Sequence, residues 1–349
     1  MTPDKLVRPE ILQMSAYPVA DAGGMVKLDA MENPYPLPPA MRRELGERLA
    51  QVGLNRYPEP NPRALCELIK RKMGVPAGME VLLGNGSDDL IQIITLALAK
   101  PGAVLMYPAP TFVMYSMNAT FTGMRAVAVP LRNDFSFDAD AFIARMRAEN
   151  PAVVFLAYPN NPTGVLYPES EVRKIIEAAP GLVVVDEAYH VFAGKTFMTE
   201  LPKHKNMVVL RTVSKLGLAG IRLGYLAGRP EWLREFNKVR QVYNVNVLTE
   251  AAATFVLERL DVLEAQAAEI KTERTKLGKA LGALGVTVFP SEANFFLLRV
   301  PDAGKTYEGL KKQGVLVRNL HPGLANCLRV TVGTPEENRI LLNALKEAL

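Results

Sequence analysis

The chemistry legible in this chain centres on Ser214, Lys215 and Arg222. An apolar run, Val208-Val-Leu210, leads into Lys215-Leu-Gly-Leu-Ala-Gly-Ile-Arg222, a loop built mostly from small and apolar residues. A lysine desolvated in such a loop loses its proton more easily and can hold an aldehyde cofactor as a Schiff base. Ser214 and Arg222 would then offer a hydroxyl and a guanidinium fork to a phosphate. Taken alone, the motif also fits a surface lysine beside an ordinary ion-paired arginine.

Two further apolar runs end in polar residues of complementary kinds. Ala152-Val-Val-Phe-Leu156 runs on to Asn161-Pro-Thr-Gly164, and Gly181-Leu-Val-Val-Val185 delivers Asp186 and then Tyr189. A turn and a helix cap would account for each separately. In an open parallel sheet, however, ligands bind at the carboxyl ends of the strands. An acid, an amide and a lysine meeting there suit pyridoxal phosphate. Asp186 would keep the ring nitrogen protonated, while Asn161 and Tyr189 hydrogen-bond the ring oxygen. A cradle for the phosphate is offered by Glu80-Val-Leu-Leu-Gly84 followed by Asn85, Gly86, Ser87, Asp88 and Asp89 ahead of an apolar helix, Leu90–Ala99. Exposed amides at a helix start bind anions, and glycine lets the backbone come close. The expected contacts are the amides of Gly86, Ser87 and Asp88, with the Asp88 and Asp89 carboxylates turned away. A plain helix cap is the alternative.

These residues, with five more segments, resemble the pyridoxal-phosphate aminotransferases of the aspartate-aminotransferase fold, and most closely the histidinol-phosphate aminotransferases among them. The segments are Met31-Glu-Asn33-Pro-Tyr-Pro36, Asn55-Arg-Tyr57-Pro-Glu-Pro60, Tyr107-Pro-Ala-Pro-Thr-Phe112, Ser291-Glu-Ala-Asn294-Phe-Phe296 and Cys327-Leu-Arg329-Val-Thr-Val-Gly-Thr334-Pro-Glu-Glu-Asn338. Several motifs in order over nearly the whole chain are far more specific than any one. The chain departs from the family in three places: Met31 replaces the usual Asn, Phe112 replaces a frequent Tyr, and the Lys215–Arg222 segment is one residue short.

The resemblance implies roles that the residues alone do not. Phe112 would stack on the cofactor ring. Tyr57 would reach the cofactor phosphate of the other subunit in a homodimer with composite sites. Arg329 would fork onto the substrate anion, with Arg318, Tyr17 and Asn33 as further substrate contacts. The activity implied is reversible amino transfer from L-histidinol phosphate to 2-oxoglutarate, giving imidazole-acetol phosphate and L-glutamate in histidine biosynthesis. It would run ping-pong through Lys215. An aromatic amino-acid aminotransferase is the nearest alternative. A lyase such as threonine-phosphate decarboxylase would show the same cofactor motifs. A non-catalytic relative would have no need of Lys215, Asp186 and Asn161 together.

Composition agrees with a small-molecule enzyme. The 349 residues are 49% hydrophobic, enough for a sizeable core, and the net charge of +5 is spread without a basic run, which argues against nucleic-acid binding. Cys66 and Cys327 lie far apart, and His190, His204 and His321 are scattered, so neither a disulfide framework nor a metal site is expected. Met1-Thr-Pro-Asp-Lys5 lacks the apolar core of a signal peptide and no span suits a membrane, so a cytoplasmic protein is expected.

The elements that must position these residues follow from periodicity. Apolar runs at 103–107, 152–156, 182–185 and 207–210 alternate with helical patterns, predicting a mostly parallel, doubly wound α/β sheet. One long amphipathic helix is expected from Leu257 to Leu284. After it, runs at 286–289, 294–300, 315–318 and 328–332 predict a small α+β domain. Thr334-Pro-Glu-Glu337 predicts a capping box opening the last helix. The division expected is a large cofactor-binding domain, 30–255, and a small domain from 256–349 with the N-terminal arm, 1–29.

Overall fold

The computed structural model describes residues 2–349. Thirteen strands are present among them: β1 Val26–Lys27, β2 Glu80–Gly84, β3 Val104–Ala109, β4 Arg125–Pro130, β5 Val153–Ala157, β6 Leu182–Asp186, β7 Met207–Thr212, β8 Gly224–Gly228, β9 Thr287–Val288, β10 Phe295–Arg299, β11 Val315–Leu316, β12 Arg318–Asn319 and β13 Cys327–Thr331. Seven form the central sheet in the order β2-β8-β7-β6-β5-β3-β4. Strands β3 to β7 are parallel, and β8 runs antiparallel to both β7 and β2. The continuous apolar runs have their reason here, since both faces of this sheet are covered. Along β5 and β6, Val154, Leu156, Val183 and Val185 enter the core on one face; Val153, Phe155, Leu182 and Val184 enter the core on the other.

A smaller antiparallel sheet has the order β12-β13-β10-β9, and a parallel pair joins β1 to β11. The single strand expected at 315–318 is therefore two, β11 and β12, belonging to different sheets. The long helix expected from Leu257 is Leu260–Gly282; Leu257 belongs to a separate helix, Val247–Glu258, the two parted at Arg259, whose backbone leaves the helical region at φ −115° and ψ 40°. The Leu/Ile stripe crosses that break because both helices bury the same side: Leu257, Leu260 and Leu263 share one core. Thr334 and Glu337 form the capping box at the start of Pro335–Ala348.

The N-terminal arm divides its contacts. The Leu28 amide donates to the Leu316 carbonyl at 2.8 Å and the Leu28 carbonyl accepts from Thr331 N at 2.9 Å, which stitches residues near β1 to the smaller sheets. Further back, Arg8 Nη2 donates to the Phe121 carbonyl at 2.7 Å, on the helix Met114–Thr122 beside the central sheet.

Candidate active site

The carboxyl ends of β5, β6 and β7 bring Asn161, Asp186 and Lys215 to one crevice, bordered also by Ser87, Asp88 and Arg222. Behind β6 and β7 the strand ends are tied together by a buried ion pair. Arg211 Nε and Nη2 donate to Glu187 Oε2 at 2.9 and 2.7 Å, and Thr196 and Phe197 donate to the same carboxylate. A buried pair so fully hydrogen-bonded fixes geometry even where it adds little net stability.

Lys215 sits in a wide turn, Ser214–Leu218, kinked at Gly217, where φ is +133°. A Cβ on Gly217 would meet Asn33 Nδ2 at 2.9 Å, so the loop also needs glycine for room. Lys215 Nζ donates to the Ala30 carbonyl at 2.8 Å. Burial, reinforced by the positive charge of Arg329, draws its pKa down to about 8. Asp186 moves the other way: burial raises its carboxyl to about 6, against the hydrogen bonds it accepts from Tyr115 and the Ala188 amide. Those bonds are 2.7 Å from Tyr115 Oη to Oδ2 and 3.1 Å from Ala188 N to Oδ1.

The helix Ser87–Leu98 starts after Gly86, and no side chain caps it. Its first amides are therefore open to an external acceptor. Arg222 lies over this end: a Cβ on Gly86 would meet Arg222 Nη2 at 2.6 Å. Arg222 Nη1 reaches Ser214 Oγ at 3.4 Å. The two acids of the first turn differ from one another, and Asp88 departs from expectation. Asp89 is turned away, accepting from Asn85 N at 2.8 Å and Asn244 Nδ2 at 3.0 Å. Asp88 is not; it borders the crevice with its carboxylate 3.6 Å from Arg222 Nη2. The attraction of the adjacent guanidinium outweighs the tendency to point outward.

Asn161 Nδ2 contacts Tyr189 Oη at 3.2 Å, and Asn161 Oδ1 accepts from Arg329 Nη1 at 2.6 Å. Arg329 is only 7% exposed, and its Nη2 donates to the Asp29 carbonyl at 2.8 Å. Its Nε is buried with no partner. A buried guanidinium N–H left unpaired is costly, and an anion entering from the adjoining cavity would satisfy it. That cavity is bordered by Arg329, Asn161, Phe112, Tyr17 and Arg318. Arg318 stacks over the Tyr17 ring at 5.0 Å and donates to the Pro18 carbonyl at 2.9 Å.

Two of the expected site residues are not brought to the crevice. Tyr57 is 80% exposed and stacks on Tyr243 with ring centres 4.6 Å apart. Asn33 faces the back of the lysine loop, where its Nδ2 donates to the Leu216 carbonyl at 3.1 Å and to Gln266 Oε1 at 2.9 Å, and its Oδ1 accepts from Tyr35 N at 2.9 Å. With its amide hydrogens and one carbonyl lone pair bonded to protein, it supports the turn that carries Lys215. The residue of that motif at the crevice is Met31, held at φ +54° by Thr331 Oγ1, which accepts from Met31 N at 3.0 Å, and by Asn294 Nδ2, which donates to its carbonyl at 3.1 Å. Asn tolerates that left-handed region better than Met does, which gives the family's usual residue a backbone reason. Tyr115 and the Ala30 carbonyl also went unmarked in the sequence: Tyr115 lies in a helical stretch that reads as ordinary core, and a carbonyl has no residue signature.

Among the described residues no group of three His, Cys, Asp or Glu side chains could hold a metal, and no helix is long and apolar enough to cross a membrane. The family model described as aminotransferase class I and II matches residues 23–345. The chain belongs to that family. This aminotransferase is 57% identical, over all of its own length and 99% of the relative's, to a protein of Burkholderia pseudomallei named histidinol-phosphate aminotransferase 2. Its fold is similar to the solved histidinol-phosphate aminotransferase of Sinorhizobium meliloti in complex with pyridoxal-5'-phosphate, with TM-score 0.87, 25% identity and coverage of 98% and 97% of the two chains. It shares the fold alone with L-threonine-O-3-phosphate decarboxylase of Porphyromonas gingivalis, at TM-score 0.77, 22% identity and coverage of 93% and 99%.

Proposed function

We propose that this aminotransferase moves the amino group of L-histidinol phosphate to 2-oxoglutarate in histidine biosynthesis, using pyridoxal 5'-phosphate. The whole-length 57% identity to a relative bearing that name carries the choice of substrate. The residues present suit the cofactor: an uncapped helix start beneath an arginine, a buried acid, and a lysine with a depressed pKa. When bound, the cofactor supplies an electrophilic aldehyde and an electron-accepting pyridinium ring.

The amides of Gly86, Ser87 and Asp88, with Ser214 and Arg222, would hold its phosphate. Asp186 would face the ring nitrogen, Asn161 and Tyr189 the ring oxygen, and Phe112 the ring face. Lys215 Nζ would hold the cofactor's aldehyde and, once displaced by the substrate amine, would move the proton from the substrate carbon to the cofactor carbon. A pKa near 8 leaves a useful neutral fraction at physiological pH for both tasks. Arg329 offers its unpartnered Nε to the substrate anion, phosphate in one half-reaction and carboxylate in the other, with Arg318 and Tyr17 lining the approach.

The reading includes a cytoplasmic homodimer, with a large domain at 30–255 and a small domain from 256–349 and the arm. Leu54, Tyr57 and Val242 are each at least 65% exposed, an apolar group with no role in its own crevice and suited to cover by a second subunit. Product analysis tests the chemistry. Histidinol phosphate and 2-oxoglutarate should yield glutamate one for one with the imidazole-acetol phosphate. Carbon dioxide release from threonine phosphate, without glutamate formation, would point to a lyase instead.

A further inference from the structure

Tyr115 is wholly buried, 0% exposed, on the helix Met114–Thr122. Its ring stacks on Phe155 of β5, with centres 4.7 Å apart and planes at 21°, and meets Phe112 edge-on at 5.8 Å and 88°. The Tyr115 amide donates to the Phe112 carbonyl at 3.3 Å. Its hydroxyl donates to Asp186 Oδ2 at 2.7 Å. A phenol has one proton to give, and here it goes to a buried carboxylate, the strong charge-assisted kind of hydrogen bond. With Ala188 N on Oδ1, each Asp186 oxygen has one protein donor and keeps a lone pair for the crevice. One side chain thus braces both the buried acid and the aromatic ring at the crevice wall.

We infer that Tyr115 is a positioning residue for the reaction: its hydroxyl keeps Asp186 ionised and aimed at the cofactor's ring nitrogen, while its ring sets the tilt of Phe112. Without the hydroxyl, Asp186 Oδ2 loses its donor in a buried place, where an ionised carboxylate is costly, and the carboxyl takes up a proton more readily. A protonated acid holds a pyridinium nitrogen poorly. The inference rests on the reading that Asp186 faces the ring nitrogen.

Tyr115→Phe keeps both ring contacts and removes only the hydroxyl, so folding is not at issue. Its affinity for pyridoxal phosphate is compared with that for the 1-deaza analogue, in which carbon replaces the ring nitrogen. Loss of a hydrogen bond to a charged group predicts roughly tenfold weaker binding of pyridoxal phosphate. Affinity for the deaza analogue should stay within about twofold, because that ligand presents no nitrogen to Asp186. Equal weakening of both ligands, or of neither, overturns the inference: the first means that the hydroxyl supports the site without acting through the ring nitrogen, the second that it is idle. Failure of the underlying reading shows separately, as a wild-type enzyme that does not distinguish the two ligands, and it removes the inference with it.

Discussion

Arg329 Nη1 donates to Asn161 Oδ1 at 2.6 Å, joining the guanidinium proposed for the substrate anion to the amide proposed for the cofactor's ring oxygen. In that reading, substrate arrival and cofactor electronics would be linked through one hydrogen bond. Arg329→Lys keeps the charge but cannot hold Asn161, the Asp29 carbonyl and an anion together. KM for glutamate and 2-oxoglutarate should rise roughly 10- to 100-fold, with a shift in the visible band of bound cofactor. Steady-state kinetics with an absorption scan would show both; unchanged KM values would remove Arg329 from the substrate site.

Borohydride reduction followed by peptide mapping should label Lys215 and no other lysine. Lys215→Ala should still bind cofactor through the phosphate contacts but lose turnover by many orders of magnitude, since nucleophile and proton carrier go together.

Lys215 also sets a pH dependence. In the cofactor-free fold it gives up its proton near 8, against 10.5 for an ordinary lysine. Between those values the unfolded chain binds more protons, so the lysine's contribution to stability improves as pH rises through the window and is least favourable below it. Lys215→Met lacks this pH dependence. Its stability advantage over cofactor-free wild type should therefore shrink from about pH 8 towards about pH 10. Denaturant melts across that range check the sign; a constant or widening gap contradicts it.

Asp186→Asn preserves shape and removes the charge that would hold the ring-nitrogen proton. Turnover should fall severely, with a much smaller loss of cofactor. Near-normal turnover would exclude the proposed role.

Tyr57→Ala mixed with Lys215→Ala tests the composite site. If Tyr57 serves the partner, one site of a mixed dimer carries both lesions and the other carries neither. Activity should return as subunits exchange. Two inactive parents that exchange subunits and stay inactive would place Tyr57 outside the partner's site.

Much of the framework was legible because burial on both faces leaves no choice of residue: β5, β6 and β7 read as apolar runs, and their polar exits marked Asn161, Asp186 and Lys215. What was not legible depends on direction. Asn33 and Met31 share a motif, yet only the fold decides which faces the crevice and which faces the lysine loop. Asp88 and Asp89 are adjacent acids whose orientations are set by Arg222 and Asn244, each more than a hundred residues away. Arg259 parts Leu257 from the long helix although the apolar stripe continues through it.

The proposed activity is tested most directly by adding single amines to pure holoenzyme and following conversion of the pyridoxal spectrum to the pyridoxamine spectrum. Histidinol phosphate and glutamate should each drive the change, histidinol phosphate with the highest efficiency among ring-bearing amines, and 2-oxoglutarate should reverse it. An enzyme converted efficiently by phenylalanine or tyrosine but not by histidinol phosphate would contradict the account.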